Sequence, residues 1–373
     1  MILLTNKKFN TMDNKEKLNF SVFDSAVKVI PAFVEKDNSS KPYVNYGVDN
    51  KFPNYLWELY LRSAILQSII NGTADYAGGR NILYSKDDEV QRLSTEANND
   101  GETLDDVIKK CIIDYLIFGG FALQVIYNKL QQISEIYWLD FRNVRRNKEG
   151  DKIYYSEDWV RHANDYITYD IFNPSNKKGT SVFYFKGHIS RGIYPIPRYN
   201  GALSAIETST EISKFHLNSI LNNFSGNFII NFNNGQPSED VQEEIERKIK
   251  AKFTGSDNAG KFMLAFNDSK ENGVTVERIQ DDNFDKKYES LRTDTYKEIF
   301  VAFRAIPQLF GYSLEGTGFN KQEFAESYAL YAQTTVKPIQ KDMTRTFDKI
   351  FGVENAVTFE PFEIEEKAVE EVQ

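Results

Sequence analysis

The chain has 373 residues, 41% of them hydrophobic, enough to bury a substantial core in two or three structural units. Its 45 Lys and Arg against 54 Asp and Glu leave a formal net charge of -9. That balance argues against tight gripping of nucleic acid, which needs phosphate-neutralising cations, but not against a conduit in which sticking would hinder transport.

The single cysteine, Cys111, excludes an internal disulfide and a Cys-rich metal site. Its apolar neighbours Ile112 and Ile113 mark it as a buried core thiol. No run approaches the about 20 apolar residues of a membrane span, and the start MILLTNKKFN lacks the apolar region of a signal peptide. The expectation is a soluble protein that stays in the cell that makes it.

Residues 1–45 are polar and weakly patterned and read as an arm. A helix is predicted from Pro53 to Asp75 on Leu56, Leu59, Ile65, Ile69 and Ile70. A second covers 104–118, with Leu104, Val107, Ile108, Cys111, Ile112 and Tyr115 at helical spacing and Gly119-Gly120 as its stop. Strand-like runs follow at 121–127, 133–139, 152–156, 166–172 and 181–187. Their Val, Ile, Tyr and Phe content and turn-rich gaps predict a mostly antiparallel sheet, so this half is α+β.

The breaker cluster RGIYPIPRYNG at 191–201 closes that pattern. One helix is then predicted over 202–224, with Leu203, Ile206, Leu217, Ile220, Leu221 and Phe224 as its apolar stripe and Ile212 and Phe215 on another side. A small strand-helix-strand-strand module follows. NFIINF leads to a helix from Glu239 to Phe253, acidic first and basic last to suit its dipole, and KFMLAF and GVTVERI form a hairpin. A second long helix runs from Asp282 to Ile306, with Phe284, Tyr288, Leu291, Ile299, Phe303 and Ile306 on one face and Pro307 ending it. The two long helices are nearly equal, roughly 35 and 37 Å at about 1.5 Å per residue. After the loop GYSLEGTGFNK come a helix at 322–336, another introduced by Pro338, the strand AVTFEPF and an acidic tail.

In this order the chain resembles the tailed-phage portal (head-to-tail connector) family, in its long-tailed-phage branch. Four passages carry the resemblance: YLIFGGFALQVIY, the run from GIYPIPRYNG to NFIINF, YKEIFVAFRAIPQLFGY, and NKQEFAESYALYAQTTVKPIQKDMTRTF. Each is mostly spacing and residue class; together, in order and around the small module, they are specific. The resemblance implies a portal fold with an N-terminal arm (1–45), an α+β wing (46–200) and stem helices at 201–226 and 281–306. It further implies a β-α-β-β clip (227–280), a tunnel-loop region (307–322), helices and a last strand returning to the wing and channel (323–358), and an acidic tail (359–373). Too little chain follows Phe351 for a substantial crown, so the crown is short or absent.

The function so implied is a portal: a ring of about twelve copies forming the DNA channel at one capsid vertex, for genome packaging, retention and ejection. Its implied partners are the major capsid protein, the terminase large subunit, a head-completion or connector protein and double-stranded DNA held without sequence preference, with no membrane. The implied location is the virion, and the host cytoplasm during assembly. The DNA-facing candidates are Leu314, Glu315, Thr317, Phe319, Asn320 and Lys321 in the loop. The candidates on the second long helix are Lys286, Lys287, Arg292 and Lys297, which with nearby Asp and Glu form either a channel wall of nearly cancelling charge or an exposed helix with internal ion pairs.

No catalytic constellation emerges, and no metal or cofactor is assigned. His162, His188 and His216 lie far apart, and Gly316-Thr317-Gly318 lacks phosphate-loop spacing. Two other classes stay open at this stage: another ring-forming structural protein of a phage tail or injection apparatus, and a phage nucleic-acid enzyme.

Overall fold

The computed structural model describes residues 19–21, 33–37, 40–159, 161, 164–221, 228–232, 238, 240, 241, 243–245, 247, 248, 262–266, 275–278, 284–312 and 321–362. They fall into two units. The smaller combines Met1–Lys28 with Glu211–Ser290, the larger Val29–Thr210 with Leu291–Gln373. The first strand, β1 (Asn19–Ser21), belongs to the smaller unit.

The larger unit opens with β2 (Glu35–Lys36) paired antiparallel to β3 (Asn45–Tyr46). Part of the predicted arm therefore joins this core: the Phe33 ring lies 5.3 Å from that of Phe52, and the Glu35 carboxylate accepts the Tyr194 N–H at 2.8 Å. The helix predicted from Pro53 to Asp75 is two helices, α1 (Phe52–Arg62) and α2 (Ala64–Gly78). Ser63 divides them. Its backbone is extended, and its hydroxyl accepts the Leu66 N–H at 3.3 Å, as an N-cap satisfies an orphan donor. The apolar spacing carries straight across this break, which is why periodicity missed it.

After β4 (Ile82–Tyr84) and α3 (Asp88–Thr95), α4 (Leu104–Phe118) takes the predicted bounds. Thr103 and Asp106 close a capping box at its start, and Gly119 ends it at φ 82°. Only glycine suits this position, because a Cβ on Gly119 would sit 2.5 Å from the Ile196 carbonyl oxygen. Cys111 is fully buried in this helix, and burial pushes its thiol well up.

Six strands follow: β5 (Gly120–Tyr127), β6 (Ile133–Leu139), β7 (Val144–Arg146), β8 (Lys152–Tyr155), β9 (Ile167–Ile171) and β10 (Thr180–Lys186). They form one sheet in the order β6-β5-β10-β9-β8-β7, antiparallel except where β9 meets β10. Both edges are covered. Ala97 accepts the Ile136 N–H from β6 at 2.8 Å, and Val44 donates to the Arg146 carbonyl of β7 at 3.0 Å. Covered edges cannot template pairing with other chains.

Two buried polar groups hold this sheet to its surroundings. The Arg145 guanidinium is wholly buried and donates to the Asn50 and Val144 carbonyls at 2.7 and 2.8 Å, beneath the Tyr46 and Trp159 rings. It fastens the loop before α1 to β7. Asp114 on α4 is 3% exposed and accepts the Trp138 indole N–H of β6 at 2.8 Å. Burial, with the charge of Asp140 behind it, pushes the Asp114 carboxyl well above the usual carboxylate range.

The helix α5 (Leu203–Leu221) starts in the larger unit and ends in the smaller; α6 (Phe284–Phe303) does the reverse. The predicted apolar faces are only partly buried. Leu217 and Leu291 are exposed, whereas Ile212, expected on another side, is buried.

The smaller unit holds β11 (Phe228–Phe232), helical positions between Asp240 and Lys248, β12 (Phe262–Phe266) and β13 (Thr275–Arg278). The predicted hairpin of the last two strands is not formed. The order is β1-β12-β11-β13, with β11 parallel to β12 and antiparallel to β13. A parallel pair needs a crossover of about a dozen residues or more, and 233–261 supply it. β13 is left to close the far side of β11.

α6 ends at Phe303, short of the predicted Ile306. Arg304 adopts φ 52°, its N–H bonds the Val301 carbonyl at 3.0 Å, and the Ala305 N–H reaches the Phe300 carbonyl at 2.9 Å. This is a Schellman cap, and Pro307 instead opens the 3-10 turn Pro307–Phe310. The chain closes through α7 (Lys321–Tyr331), a π turn (Ala332–Val336), α8 (Lys337–Phe351) and β14 (Val357–Phe359), which pairs with β4. Pro338 cannot donate into a regular helical ladder, and the π turn sits just before it. The α+β class expected from the sequence is the class observed.

Candidate functional site

The candidate loop residues Leu314, Glu315, Thr317, Phe319 and Asn320 lie outside the described residues, and Lys321 is described only as the first residue of α7. What the structure defines is how the chain on either side of 313–320 is held. Residues 309–310 before it and the last turns of α7 after it meet the same face of α2, that of Gly72, Thr73 and Tyr76.

On the incoming side, the Tyr76 hydroxyl donates to the Leu309 carbonyl at 2.8 Å. The Phe310 ring lies so near α2 that a Cβ on Gly72 would come within 2.9 Å of it. Tyr312, the last residue before the loop, packs its ring 5.6 Å from each of Tyr296 and Phe300 on α6. Gly311, at φ 73°, supplies the left-handed turn that brings the chain there.

On the outgoing side, the Tyr331 and Thr73 hydroxyls share a hydrogen bond of 2.7 Å, with the Thr73 hydroxyl also donating to the Ile69 carbonyl. That directionality leaves Tyr331 as the donor to Thr73. Burial pushes the Tyr331 phenol up to about 12, so it keeps its proton at any physiological pH. Its ring meets Phe310 edge-on at 5.6 Å and 87°, joining the two sides. Tyr76 meets Tyr328 at 5.3 Å and Tyr331 at 6.1 Å. One side chain, Tyr76, therefore touches the segment that enters the loop and the helix that leaves it.

The larger unit also roots both long helices. Tyr199, just ahead of α5, stacks on Phe303 of α6 at 4.9 Å and donates to the Ile117 carbonyl at 2.8 Å. Within the first turns of α5, Glu207 is 7% exposed and pairs with Arg62 at the end of α1 at 3.1 Å. Burial, reinforced by the Glu207 charge, raises the Tyr55 phenol well above its ordinary value.

Of the cations singled out on the second long helix, Lys286 and Lys287 fall in α6 with side chains outside the described residues. Arg292 and Lys297 are exposed and engaged on their own helix. The Arg292 guanidinium stands 5.3 Å from the Tyr296 ring, and Lys297 pairs with Asp294 at 3.6 Å. Among the described residues no group of His, Cys, Asp and Glu gathers to hold a metal ion, and His188 and His216 are exposed. No helix among them is long and apolar enough to cross a membrane.

Sequence reading did not single out Tyr76, Thr73, Arg62, Glu207 or Tyr199. Their roles depend on partners far along the chain, and the only local signal was the small residue Gly72 one turn before Tyr76.

Comparison with known proteins agrees with this architecture. In solved structures, the virion of a native gene transfer agent particle contains a chain 15% identical, at a TM-score of 0.55 over 86% of each chain. An HK97 family phage portal protein from Corynebacterium diphtheriae is 10% identical, at a TM-score of 0.51 over 82% of this chain and 95% of that one. At such identities the likeness is one of fold. An uncharacterized protein of Rickettsia bellii is 29% identical over 139 residues, 36% of this chain, so the match spans about a third (34%) of that relative's length. Residues 76–366, from the clamping tyrosine on α2 past the last strand, match the family described as phage portal protein, and the chain belongs to that family.

Proposed function

We propose that this chain is the subunit of a closed ring at one vertex of a phage-like capsid, through which double-stranded DNA passes during packaging and ejection. The observation that carries the reading is the clamp on α2: the chain just before 313–320, at Leu309, and the far end of the helix that follows, at Tyr331, are both bonded to α2, within or beside the segment shared with phage portal proteins. A loop held between rigid supports can change shape without unfolding them. Thr317, Asn320 and Lys321 then offer phosphate contacts that carry no sequence information.

Exposed apolar residues on α6 support an assembled state. Val301 is 76% and Leu291 46% exposed, two apolar side chains that a neighbouring copy would cover in this reading. In this reading 46–200 form a wing, 201–226 and 281–306 stem helices and 227–280 a clip. The ring contacts the major capsid protein, a terminase large subunit and a head-completion protein. Energy for packaging comes from the terminase, and the chain itself performs no chemistry.

The test is a negative-stain image with particle mass on purified protein, then genome content of capsids built with residues 313–319 replaced by a Gly-Ser linker. Rings of about twelve chains that survive the replacement, with less DNA packaged or retained, are the expected result. A stable monomer at micromolar concentration, or normal genome content with the altered loop, counts against it.

A further inference from the structure

β12 is closed on its outer side by β1, a strand of 3 residues in which Asn19 faces Phe266, Phe20 faces Ala265 and Ser21 faces Leu264. Without β1 the sheet would run β12-β11-β13, and its two edges would differ in kind. β13 reads Thr275-Val276-Glu277-Arg278, and charge on an edge deters pairing with other chains. β12 reads Phe262-Met263-Leu264-Ala265-Phe266, with no charge and no proline, the composition of an edge that recruits a further strand. β12 needs a cover; β13 does not.

The cover comes on a long lead. Described chain resumes at Phe33, in a segment fixed to the larger unit by the Phe33 ring against Phe52 and by Glu35 at the Tyr194 N–H. Between them lie residues 22–32, and a stretch of that length reaches about 40 Å when extended. A sheet of four strands is only about 20 Å wide at its usual strand spacing. The lead is thus longer than the sheet is wide, so its length does not restrict β1 to the β12 edge of its own copy. In a closed ring every copy offers the same edge at the same spacing, and exchanging identical segments conserves every ladder hydrogen bond.

We propose that the outer edge of β12 is a strand-acceptor site for a second copy of this chain, and that in the assembled ring residues 19–21 of one subunit pair with β12 of its neighbour. The inference rests on the ring reading above. Exchange turns hydrogen bonds within one subunit into bonds between subunits, so each arm ties its owner to the next chain around the ring.

Cross-strand partners in an antiparallel pair have Cα atoms about 4.5–5.5 Å apart, within reach of a disulfide. Cys111 is buried in the larger unit, so background cross-linking is low. Full-length F20C/A265C protein is assembled, imaged for rings, oxidised, and separated on a denaturing gel without reductant. The expected result is most of the chain in a ladder of covalent multimers that collapses to one band on reduction. Co-assembly of F20C chains with A265C chains is expected to give dimers. Ring-containing samples that give only an internally linked monomer, or no cross-link, overturn the exchange and leave the ring reading standing. If that variant does not assemble, S21C/L264C probes the next register pair with the same outcomes. Wild-type protein that forms no rings overturns the ring reading and the exchange together.

Discussion

The Tyr76 hydroxyl donates to the Leu309 carbonyl across 233 residues of chain, at 2.8 Å, while the same ring packs 5.3 Å from Tyr328. Removing only the hydroxyl separates the two contacts. Y76F is expected to lose about 1 kcal/mol, the net worth of one hydrogen bond, and to keep the ring packing. Y76A loses both and costs more. Urea unfolding of the two variants measures the difference, and equal losses would mean the ring contributes nothing to the clamp.

Glycine requirements at two helix ends differ in sign. G119A places a Cβ at φ 82° and 2.5 Å from the Ile196 carbonyl oxygen, and is expected to destabilise by at least about 2 kcal/mol. G78A meets no atom within 4 Å and is expected to stabilise by about 0.5 kcal/mol, through reduced freedom of the unfolded chain. Thermal melts of the two single variants should move in opposite directions.

Glu207 and Arg62 tie the first turns of α5 to α1 at 3.1 Å, with side chains 10% and 27% exposed. Because Arg62 keeps some water, removal of Glu207 leaves a partly solvated cation rather than a buried one, and E207A is expected to cost about 2 kcal/mol. A double-mutant cycle with R62A isolates the pair. A coupling energy near zero would show that Glu207 acts instead through Tyr55 and through Thr210, whose hydroxyl donates to the Glu207 carboxylate at 3.3 Å.

Asp114 sets a pH dependence of known sign. Burial raises its folded pKa above the unfolded value of about 3.9. Its contribution is therefore fully present below that unfolded value and is lost as pH rises through the folded one. D114N keeps an acceptor for the Trp138 indole N–H but does not ionise. The variant should gain on wild type as pH rises above about 4, read as the difference in urea midpoints at each pH. A difference that does not change with pH would show that Asp114 is not strained by ionisation.

Much of the secondary structure was legible locally. The helix 104–118 announced itself by apolar spacing and a glycine stop, and the strand 133–139 by its β-branched and aromatic run, because such signals act over a few residues. The break at Ser63 and the cap at Arg304 were also local, but a continuous apolar period concealed the first and the nearby Pro307 the second.

Tertiary structure alone decided which elements meet. No spacing in the sequence says that β11 separates β12 from β13, that Asn19–Ser21 covers β12, or that Tyr76 joins Leu309 to Tyr328. Periodicity identifies the face of an element that must be buried but is blind to the partner that buries it. That choice falls to the geometry of the whole core, where shape and hydrogen-bond satisfaction select one pairing among many of equal apolar character.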